Sequence, residues 1–140
     1  MTSPRRKPRR RGAVGVFVRA GKLLVIRRSK LVVAPRKFCF PGGAIEALET
    51  EEEALVREIR EELNVAITPR RRLWQSVTRW NVQLAWWLGQ LPAEVEPVPN
   101  PAEVESIHWY TPAEMAALPG LLESNRAFLK AVATGEIDLK

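Results

Sequence analysis

The chain has 140 residues, of which 46% are hydrophobic and 27% are charged, and its formal net charge is +6. This length and composition favour one globular domain with a buried core. The sequence contains no apolar run near the roughly 20 residues that a membrane-spanning helix needs, and its single cysteine, Cys39, excludes an internal disulfide. We therefore expect a cytoplasmic protein that does not cross a membrane.

The positive charge is concentrated at the N-terminus. Six cations stand there beside Pro4 and Pro8, namely Arg5, Arg6, Lys7, Arg9, Arg10 and Arg11. Because so charged a segment has nothing to bury, we expect residues 1–12 to be a disordered arm before a single domain at residues 13–140. A basic arm can contact nucleic-acid phosphates, but it can equally act as a solubilising tail, and the sequence leaves both roles open.

The first half of the domain is predicted to form strands followed by a helix. Short apolar segments and turn residues predict strands at residues 13–18, 22–27 and 38–40, the first two joined by a turn at residues 19–21. Thr50 is the predicted N-cap of the helix, and Glu53 three positions later closes a capping box. Glu51 and Glu52 fall in the first turn, where the helix dipole favours negative charge.

The second half alternates strands with helices. Strands are predicted at residues 65–67, 73–78, 81–88 and 107–110, a proline-rich loop at residues 92–101, and helices at residues 111–118 and 122–133. Pro69 and the basic residues 70–72 are expected to separate the first two of these strands. Trp86 and Trp87 point to opposite faces of the third strand, which indicates that both faces of the sheet are covered.

Three carboxylates cluster toward the C-terminal end of the first helix. Glu58, Glu61 and Glu62 fall within an arc of about 100°, and Val56, Ile59 and Leu63 are expected on the opposite, buried side. Like charges at these spacings destabilise a helix by roughly 0.2–0.5 kcal/mol per pair, and the helix dipole disfavours them at this end. A bound Mg²⁺ or Mn²⁺ would compensate, although a solvated acidic face is the alternative interpretation.

A longer pattern surrounds these acids. From Gly43 to Val65 the chain reads Gly-x5-Glu-x7-Arg-Glu-Ile-x-Glu-Glu-x-Asn-Val. This pattern closely resembles the Nudix box, the signature of the Nudix (MutT-like) hydrolases. One fixed position departs from it, because Asn64 stands where the family usually has Gly. Asn is the commonest substitute for Gly at a left-handed helix cap, so the departure is structurally mild.

The resemblance implies an α+β fold, in which helices cover both faces of a mixed β-sheet in an α/β/α sandwich. It also implies Mg²⁺-dependent hydrolysis, with Mn²⁺ as a substitute, of a phosphoanhydride bond in a nucleoside diphosphate linked to another moiety. Such substrates include nucleoside triphosphates, dinucleotides and nucleotide sugars. The implied metal ligands are the Gly43 carbonyl and the carboxylates of Glu58, Glu61 and Glu62.

Further site residues follow from the same resemblance and from their residue types. Arg57 is expected to orient the carboxylates, Glu58 to bind metal or act as the base, and Glu49 to support the box. Glu103, with Glu105 behind it, is the candidate for a further acid from a late loop, against the alternative of a simple rim charge. Arg28, Arg36 and Lys37 are candidate phosphate-binding cations, and Phe38 and Trp80 are candidate base-stacking residues.

Each of these substrate-binding candidates has a simpler interpretation, since loop cations are often merely solvated and aromatic residues often only pack in a core. The main alternative for the whole chain is a catalytically silent Nudix-fold module that binds a nucleotide or RNA. The sequence leaves the oligomeric state open, a homodimer included.

Overall fold

The computed structural model describes residues 9–140, which form eight strands and three helices. In chain order these are β1 Arg10–Val16, β2 Val18–Arg19, β3 Lys22–Arg28, β4 Phe38–Cys39, β5 Gly42–Ala44, α1 Glu51–Leu63, β6 Thr68–Val77, β7 Val82–Gln90, β8 Val104–Tyr110, α2 Pro112–Ala116 and α3 Glu123–Ala133. None of the helices in this part of the chain combines the length and apolar character needed to cross a bilayer.

The strands form two four-stranded sheets. The first has the order β5-β1-β7-β6, in which β1 runs parallel to β7 and the other neighbours are antiparallel. In the second sheet β3 pairs with β8, and it also pairs with the short strands β2 and β4. The mixed sheet confirms this part of the predicted fold, and the division into two sheets adds detail that the sequence did not supply.

Two hydrophobic cores lie on opposite faces of the strands. Along β3, Leu24 belongs to the core under α1, which includes Leu55, whereas its neighbour Leu23 belongs to the core under α3, which includes Phe128. Successive residues of a strand point to opposite faces, so the two helices cover the two sides of the strands. The predicted α+β sandwich is therefore confirmed.

Strand β7 shows the same two-sided burial. Trp86 is completely buried and stacks on Phe128, with ring centroids 4.7 Å apart. On the other face, Trp87 packs against the core under α1 and donates a hydrogen bond of 2.8 Å from Nε1 to a carboxylate oxygen of Glu51. Both faces of β7 are covered, as the paired tryptophans predict.

The N-terminal boundary differs from the expectation. Residues 10–12 were expected in the basic arm, but they form the start of β1, where Arg10 pairs with Val82 and Gly12 pairs with Ala44. This segment is ordered because it pairs with β5 on one side and with β7 on the other, which its charge alone did not indicate. Residues 1–8 lie outside the described part of the chain, so for them the predicted arm stays a prediction.

The strand boundaries around Pro69 also differ. Residues 65–67 are not a strand, and β6 starts at Thr68 and continues through Pro69 and residues 70–72. Strand β6 lies at the edge of its sheet, where a proline costs no ladder hydrogen bond on its outer side. Register shifts between Pro69 and Arg71 and between Arg72 and Trp74 accommodate the irregular segment.

The ends of α1 follow the sequence prediction. Thr50 accepts a hydrogen bond from the Glu53 amide, and the Glu53 side chain accepts one from the Thr50 amide, which completes the capping box. Asn64 adopts the left-handed conformation, with φ 54° and ψ 38°, and its amide donates to the Arg60 carbonyl. Asn64 thus serves as the helix cap in place of glycine.

Candidate active site

Three carboxylates from two distant segments of the chain converge at one point. Glu58 and Glu61 lie on α1, and Glu103 lies in the turn just before β8. One carboxylate oxygen from each residue lies within 4.8 Å of those of the other two. The structure thus brings Glu103 to the helical acids, and we call these three side chains the carboxylate cluster.

The C-terminal end of α1 positions Glu103. The Asn100 amide donates 2.9 Å to the Glu62 carbonyl, and the Asn100 side-chain amide donates 3.1 Å to the Glu61 carbonyl. Carbonyls in the last turn of a helix have no partner within the helix, so they are available to hold this loop. The Glu103 amide then donates 2.9 Å to the Asn100 carbonyl, which fixes Glu103 beside the helix.

Arg57 connects the acids of the box. Its guanidinium donates to both carboxylate oxygens of Glu49, to Glu58 at 2.9 Å, and more weakly to Glu61 at 3.4 Å. It also donates 2.9 Å to the Ala44 carbonyl. The hydrogen bonds from Arg57 lower the pKa of Glu49 to about 2, and those to Glu49 raise the pKa of Arg57. Arg57 therefore remains charged and holds two members of the cluster.

Glu58 lies against the backbone of Gly43. A Cβ atom added to Gly43 would come within 2.4 Å of the Glu58 carboxyl carbon, so only glycine leaves room for this carboxylate. Burial raises the pKa of Glu58, the Arg57 hydrogen bond and charge oppose that rise, and the charges of Glu61 and Glu103 add to it. Glu58 is thus half-buried, and both its burial and the neighbouring carboxylates disfavour its charged form.

Glu62 occupies a different position from the one expected. Its side chain is buried, with 5% of the residue exposed, and Oε1 accepts a 2.8 Å hydrogen bond from the Gly42 amide. Burial raises its pKa to about 8. The expectation that all three helical acids share one exposed face is wrong for Glu62, because a residue three positions after Ile59 borders the buried stripe of the helix.

The composition of the carboxylate cluster suits a divalent cation. Three carboxylates supply only oxygen donors, which Mg²⁺ and Mn²⁺ prefer. Among residues 9–140, Arg57 is the cation that hydrogen-bonds to the cluster, so one guanidinium faces three acids. Burial is the main cause of the raised pKa of Glu58, and the negative charges of Glu61 and Glu103 add to it. These residues therefore fit such a metal ion.

A cavity of about 290 Å³ lies beside Gly42 and Gly43, the two glycines that pack against Glu62 and Glu58. It combines apolar walls with cationic and polar groups. Its lining includes Val82, Leu84, Leu122, Arg10, Arg11, Arg28, Ser124 and Asn125. A cavity with apolar walls and a few convergent charged groups is the usual form of a small-molecule site.

Arg28 alone among the five candidate substrate-binding residues lines this cavity. Its Nε donates 2.7 Å to the Val33 carbonyl, and its Nη1 lies 4.0 Å from the Cys39 sulfur. These contacts hold the guanidinium beside the cavity. Burial raises the pKa of Cys39 to about 11, so its thiol is a packing group.

The other four candidates lie elsewhere. Arg36 forms an ion pair of 3.3 Å with Glu105, and Phe38 packs edge-on against His108, with ring centroids 5.7 Å apart. Lys37 is exposed, and Trp80 lies in a separate cleft at the turn between β6 and β7. Arg36 and Lys37 belong to the irregular segment between β3 and β4, and Phe38 is the first residue of β4; none of the three lines the cavity.

The sequence prediction omitted Asn125. This side chain is buried in α3; its Oδ1 accepts 2.8 Å from the Phe40 amide, and its Nδ2 donates to the Ser124 hydroxyl. It precedes the buried residues Phe128 and Leu129 by three and four positions, so a polar residue on the buried stripe of α3 was the available signal.

Comparison with known proteins identifies the family. The family model of the NUDIX domain matches residues 9–132. A Nudix hydrolase of Deinococcus radiodurans is 34% identical over an alignment of 128 residues that covers 83% of this chain and 72% of that relative. The NAD-capped RNA hydrolase NudC of Stutzerimonas stutzeri is 32% identical over 80% of this chain, but only 40% of that relative is covered.

A solved structure agrees with both relatives. The crystal structure of a MutT Nudix hydrolase from Burkholderia pseudomallei matches with a TM-score of 0.67 and 26% identity, over 88% of this chain and 97% of that one. The family model spans most of the chain, and the box at residues 43–65 lies within the match. The chain therefore belongs to the Nudix family of hydrolases.

Proposed function

We propose that this protein hydrolyses, with Mg²⁺, a phosphoanhydride bond in a nucleoside diphosphate linked to another moiety. The observation that carries the proposal is the convergence of Glu58, Glu61 and Glu103, of which Glu58 lies against Gly43. Gly43 in turn lines a cavity that is also lined by arginines. Carboxylates bind the metal ion and arginines bind phosphate, so the two groups together suit a metal–pyrophosphate complex.

The carboxylate cluster would hold the metal ion, and the Gly43 carbonyl and Glu62 remain predicted ligands from the box. When bound, Mg²⁺ neutralises phosphate charge and lowers the pKa of the attacking water. Arg57 keeps the carboxylates of Glu58 and Glu61 in fixed positions through its hydrogen bonds. Glu58 or Glu103, which both belong to the carboxylate cluster, would accept the proton of the attacking water.

The cavity would bind the nucleotide. Arg10, Arg11 and Arg28 offset the charge of the phosphates, and the apolar side chains of Val82 and Leu84 contact the nucleoside. Guanidinium groups suit this role because they stay charged and present several donors in a fixed plane. Arg11 also pairs with Glu51 at 3.4 Å, so its position depends on the helix that carries the cluster.

The substrate classes that we propose are nucleoside triphosphates, dinucleotides, nucleotide sugars and capped RNA. The similarity to NudC supports the inclusion of NAD-capped RNA, since that relative is named for this activity. We propose the cytoplasm as the location, because Cys39, which is buried and unpaired, suits a reducing compartment.

A product-release screen across these four substrate classes, with Mg²⁺, with Mn²⁺ and with chelator, tests the proposal. We expect Glu58→Gln, Glu61→Gln and Glu103→Gln each to lower kcat by about a hundredfold or more, without loss of the folded state. Glu52→Gln is the matched control, because Glu52 is an exposed acid on the same helix. Release of product at the same rate in chelator would refute metal-dependent hydrolysis.

The same screen separates the enzyme from a silent binding module. Such a module would bind its nucleotide equally well with Mg²⁺ and with chelator, and it would release no product from any of the four classes. Loss of turnover in all three cluster variants, with normal turnover in Glu52→Gln, excludes that alternative.

A further inference from the structure

Trp80 is a large aromatic residue that the folded core does not use. It lies at the turn between β6 and β7, and 64% of the residue is exposed. The Arg79 guanidinium lies 4.4 Å from the centre of its ring. Core packing, the simpler interpretation of a tryptophan, therefore does not account for Trp80.

A second cleft surrounds this tryptophan. It has a volume of about 180 Å³ and is lined by Val77, Thr78, Arg79, Trp80, Glu123, Ser124 and Ala127. Ser124 also lines the larger cavity beside Gly42 and Gly43. The two spaces are thus neighbours across one side chain.

The basic N-terminal segment reaches the same turn. Arg9 Nε donates 2.9 Å to the side-chain oxygen of Asn81, the residue after Trp80. Arg10 pairs in register with Val82 and lines the larger cavity. Within residues 9–140 no carboxylate lies within ion-pair distance of Arg9 or Arg10, and residues 1–8 contain no Asp or Glu.

Arg79 has one acidic neighbour. Its Nε lies 3.9 Å from a carboxylate oxygen of Glu123, and both side chains are mostly exposed. Exposed ion pairs of this kind are weak, so a phosphate can compete with Glu123 for Arg79. The net charge at the turn remains positive, because Arg9 and Arg10 are uncompensated.

We propose that Trp80, Arg79, Arg9 and Arg10 form a docking site for single-stranded nucleic acid. Positive side chains beside an exposed aromatic ring are the features that bind a single strand, because the cations contact phosphates and the ring stacks on a base. A duplex would hide the faces of its bases from Trp80, so the site selects a single strand. Arg79 lies over one face of the indole, and a base stacks on the other.

This proposal deepens the proposed function, because it gives the moiety linked to the nucleoside diphosphate a second contact surface. The strand itself docks without hydrolysis, so its binding can be measured in chelator. Failure of the metal-dependent reaction would leave the docking result unaffected, and failure of docking would leave the reaction on small nucleotides unaffected.

The test measures the fluorescence anisotropy of fluorescein-labelled oligoadenylates ten nucleotides long, as RNA and as DNA, with the 140-residue chain in EDTA. We expect Trp80→Ala to weaken binding by about tenfold, since base stacking contributes substantially per base, and Trp80→Phe to retain most of the affinity. We expect the double variant Arg9→Gln, Arg10→Gln to reduce the slope of log affinity against log salt by about 1.4, since each of the two phosphate contacts on a single strand contributes roughly 0.7.

Arg70→Gln is the matched control, because Arg70 is an exposed cation on β6 outside the cleft. Equal affinity of Trp80→Ala and the unchanged protein would overturn the proposal. A loss in Arg70→Gln at least half as large as that in the double variant would also overturn it, because Arg70→Gln removes one charge and the double variant two, and binding would then follow total charge. Thermal unfolding of each variant checks that the fold is intact, and the RNA and DNA arms show whether the 2′-hydroxyl contributes.

Discussion

Arg57 binds both carboxylate oxygens of Glu49, with nitrogen–oxygen distances of 2.7 and 2.9 Å. Glu49 itself is held by the Glu46 amide, which donates 2.8 Å to Oε1. The segment between β5 and α1 thus fixes the guanidinium that reaches Glu58 at 2.9 Å. Arg57 thus connects the loop before α1 to the carboxylate cluster through hydrogen bonds.

Because Arg57 binds Glu49 through two nitrogen atoms, its geometry predicts the effect of a charge-conserving substitution. Lysine has one compact ammonium group and cannot bind Glu49 at two points while also reaching Glu58 and Ala44. We expect Arg57→Lys to lower kcat/KM by about tenfold to a hundredfold through misplacement of the cluster. Steady-state kinetics measures this change, and Arg60→Lys is the control, since Arg60 is exposed on the same helix. Equal effects of the two substitutions would contradict the bridging role.

The two adjacent glycines predict different outcomes. In Gly43→Ala the new methyl group would lie 2.4 Å from the Glu58 carboxyl carbon, so this flexible side chain must move. We expect the apparent affinity for Mg²⁺ to fall by about tenfold while the fold is retained. The main-chain carbonyl of residue 43 is unchanged by this substitution, so the loss reports on Glu58. Titration calorimetry with Mg²⁺ measures it.

Gly42→Ala should instead damage the fold. Gly42 has φ +148°, and an added Cβ would lie 2.2 Å from the Ala13 carbonyl oxygen, which is backbone and cannot turn aside. We expect the free energy of unfolding to fall by at least about 2 kcal/mol. Urea unfolding of both glycine variants shows the contrast, and a Gly43→Ala protein as unstable as Gly42→Ala would contradict it.

The sequence predicted α1 well because both its ends have local signals. The capping box at Thr50 and Glu53 involves residues three positions apart, and Asn64 occupies the position at which the box usually has glycine. Periodicity also placed Trp86 and Trp87 on opposite faces of β7. In these cases each feature lies within one helix, or it follows from the alternation of side chains along one strand.

The contacts that the sequence could not supply join distant segments. Glu103 reaches the cluster because Asn100 hydrogen-bonds to the end of α1, and Arg10 lines the cavity because β1 pairs with β7. Neither relationship follows from local patterning. The burial of Glu62 was predictable only in part. Its position three residues after the buried Ile59 favours the core side of the helix, whereas the charge of its side chain favours solvent.

Asn64 allows a test of the helix cap. Alanine at φ 54° would keep the strained left-handed conformation and lose the 2.8 Å hydrogen bond from the Asn64 side chain to the Val98 carbonyl. We expect Asn64→Ala to lower the free energy of unfolding by about 1–2 kcal/mol. Asn64→Gly should cost less, because glycine tolerates this conformation and loses only the hydrogen bond. Urea unfolding of both variants checks the order, which the reverse ranking would contradict.

Glu62 predicts a pH dependence of stability in the metal-free protein. Burial raises its folded-state pKa from 4.5 to about 8. Between these values the folded protein keeps the proton and the unfolded chain has lost it, so the free energy of unfolding falls as pH rises. The stabilisation is complete below the unfolded pKa, and it is lost as pH rises to about 8.

Glu62→Gln removes this titration but keeps an oxygen that can accept from the Gly42 amide. We expect the stability of the variant relative to the unchanged protein to increase from pH 5 to pH 8.5, by on the order of a few kcal/mol. Urea unfolding in EDTA at several pH values measures the difference, and comparison at each pH cancels the other titrating groups. Parallel curves for the two proteins would show that Glu62 ionises normally. Addition of Mg²⁺ at pH 8 should then stabilise the unchanged protein more than Glu62→Gln, because only the carboxylate can serve as a charged ligand.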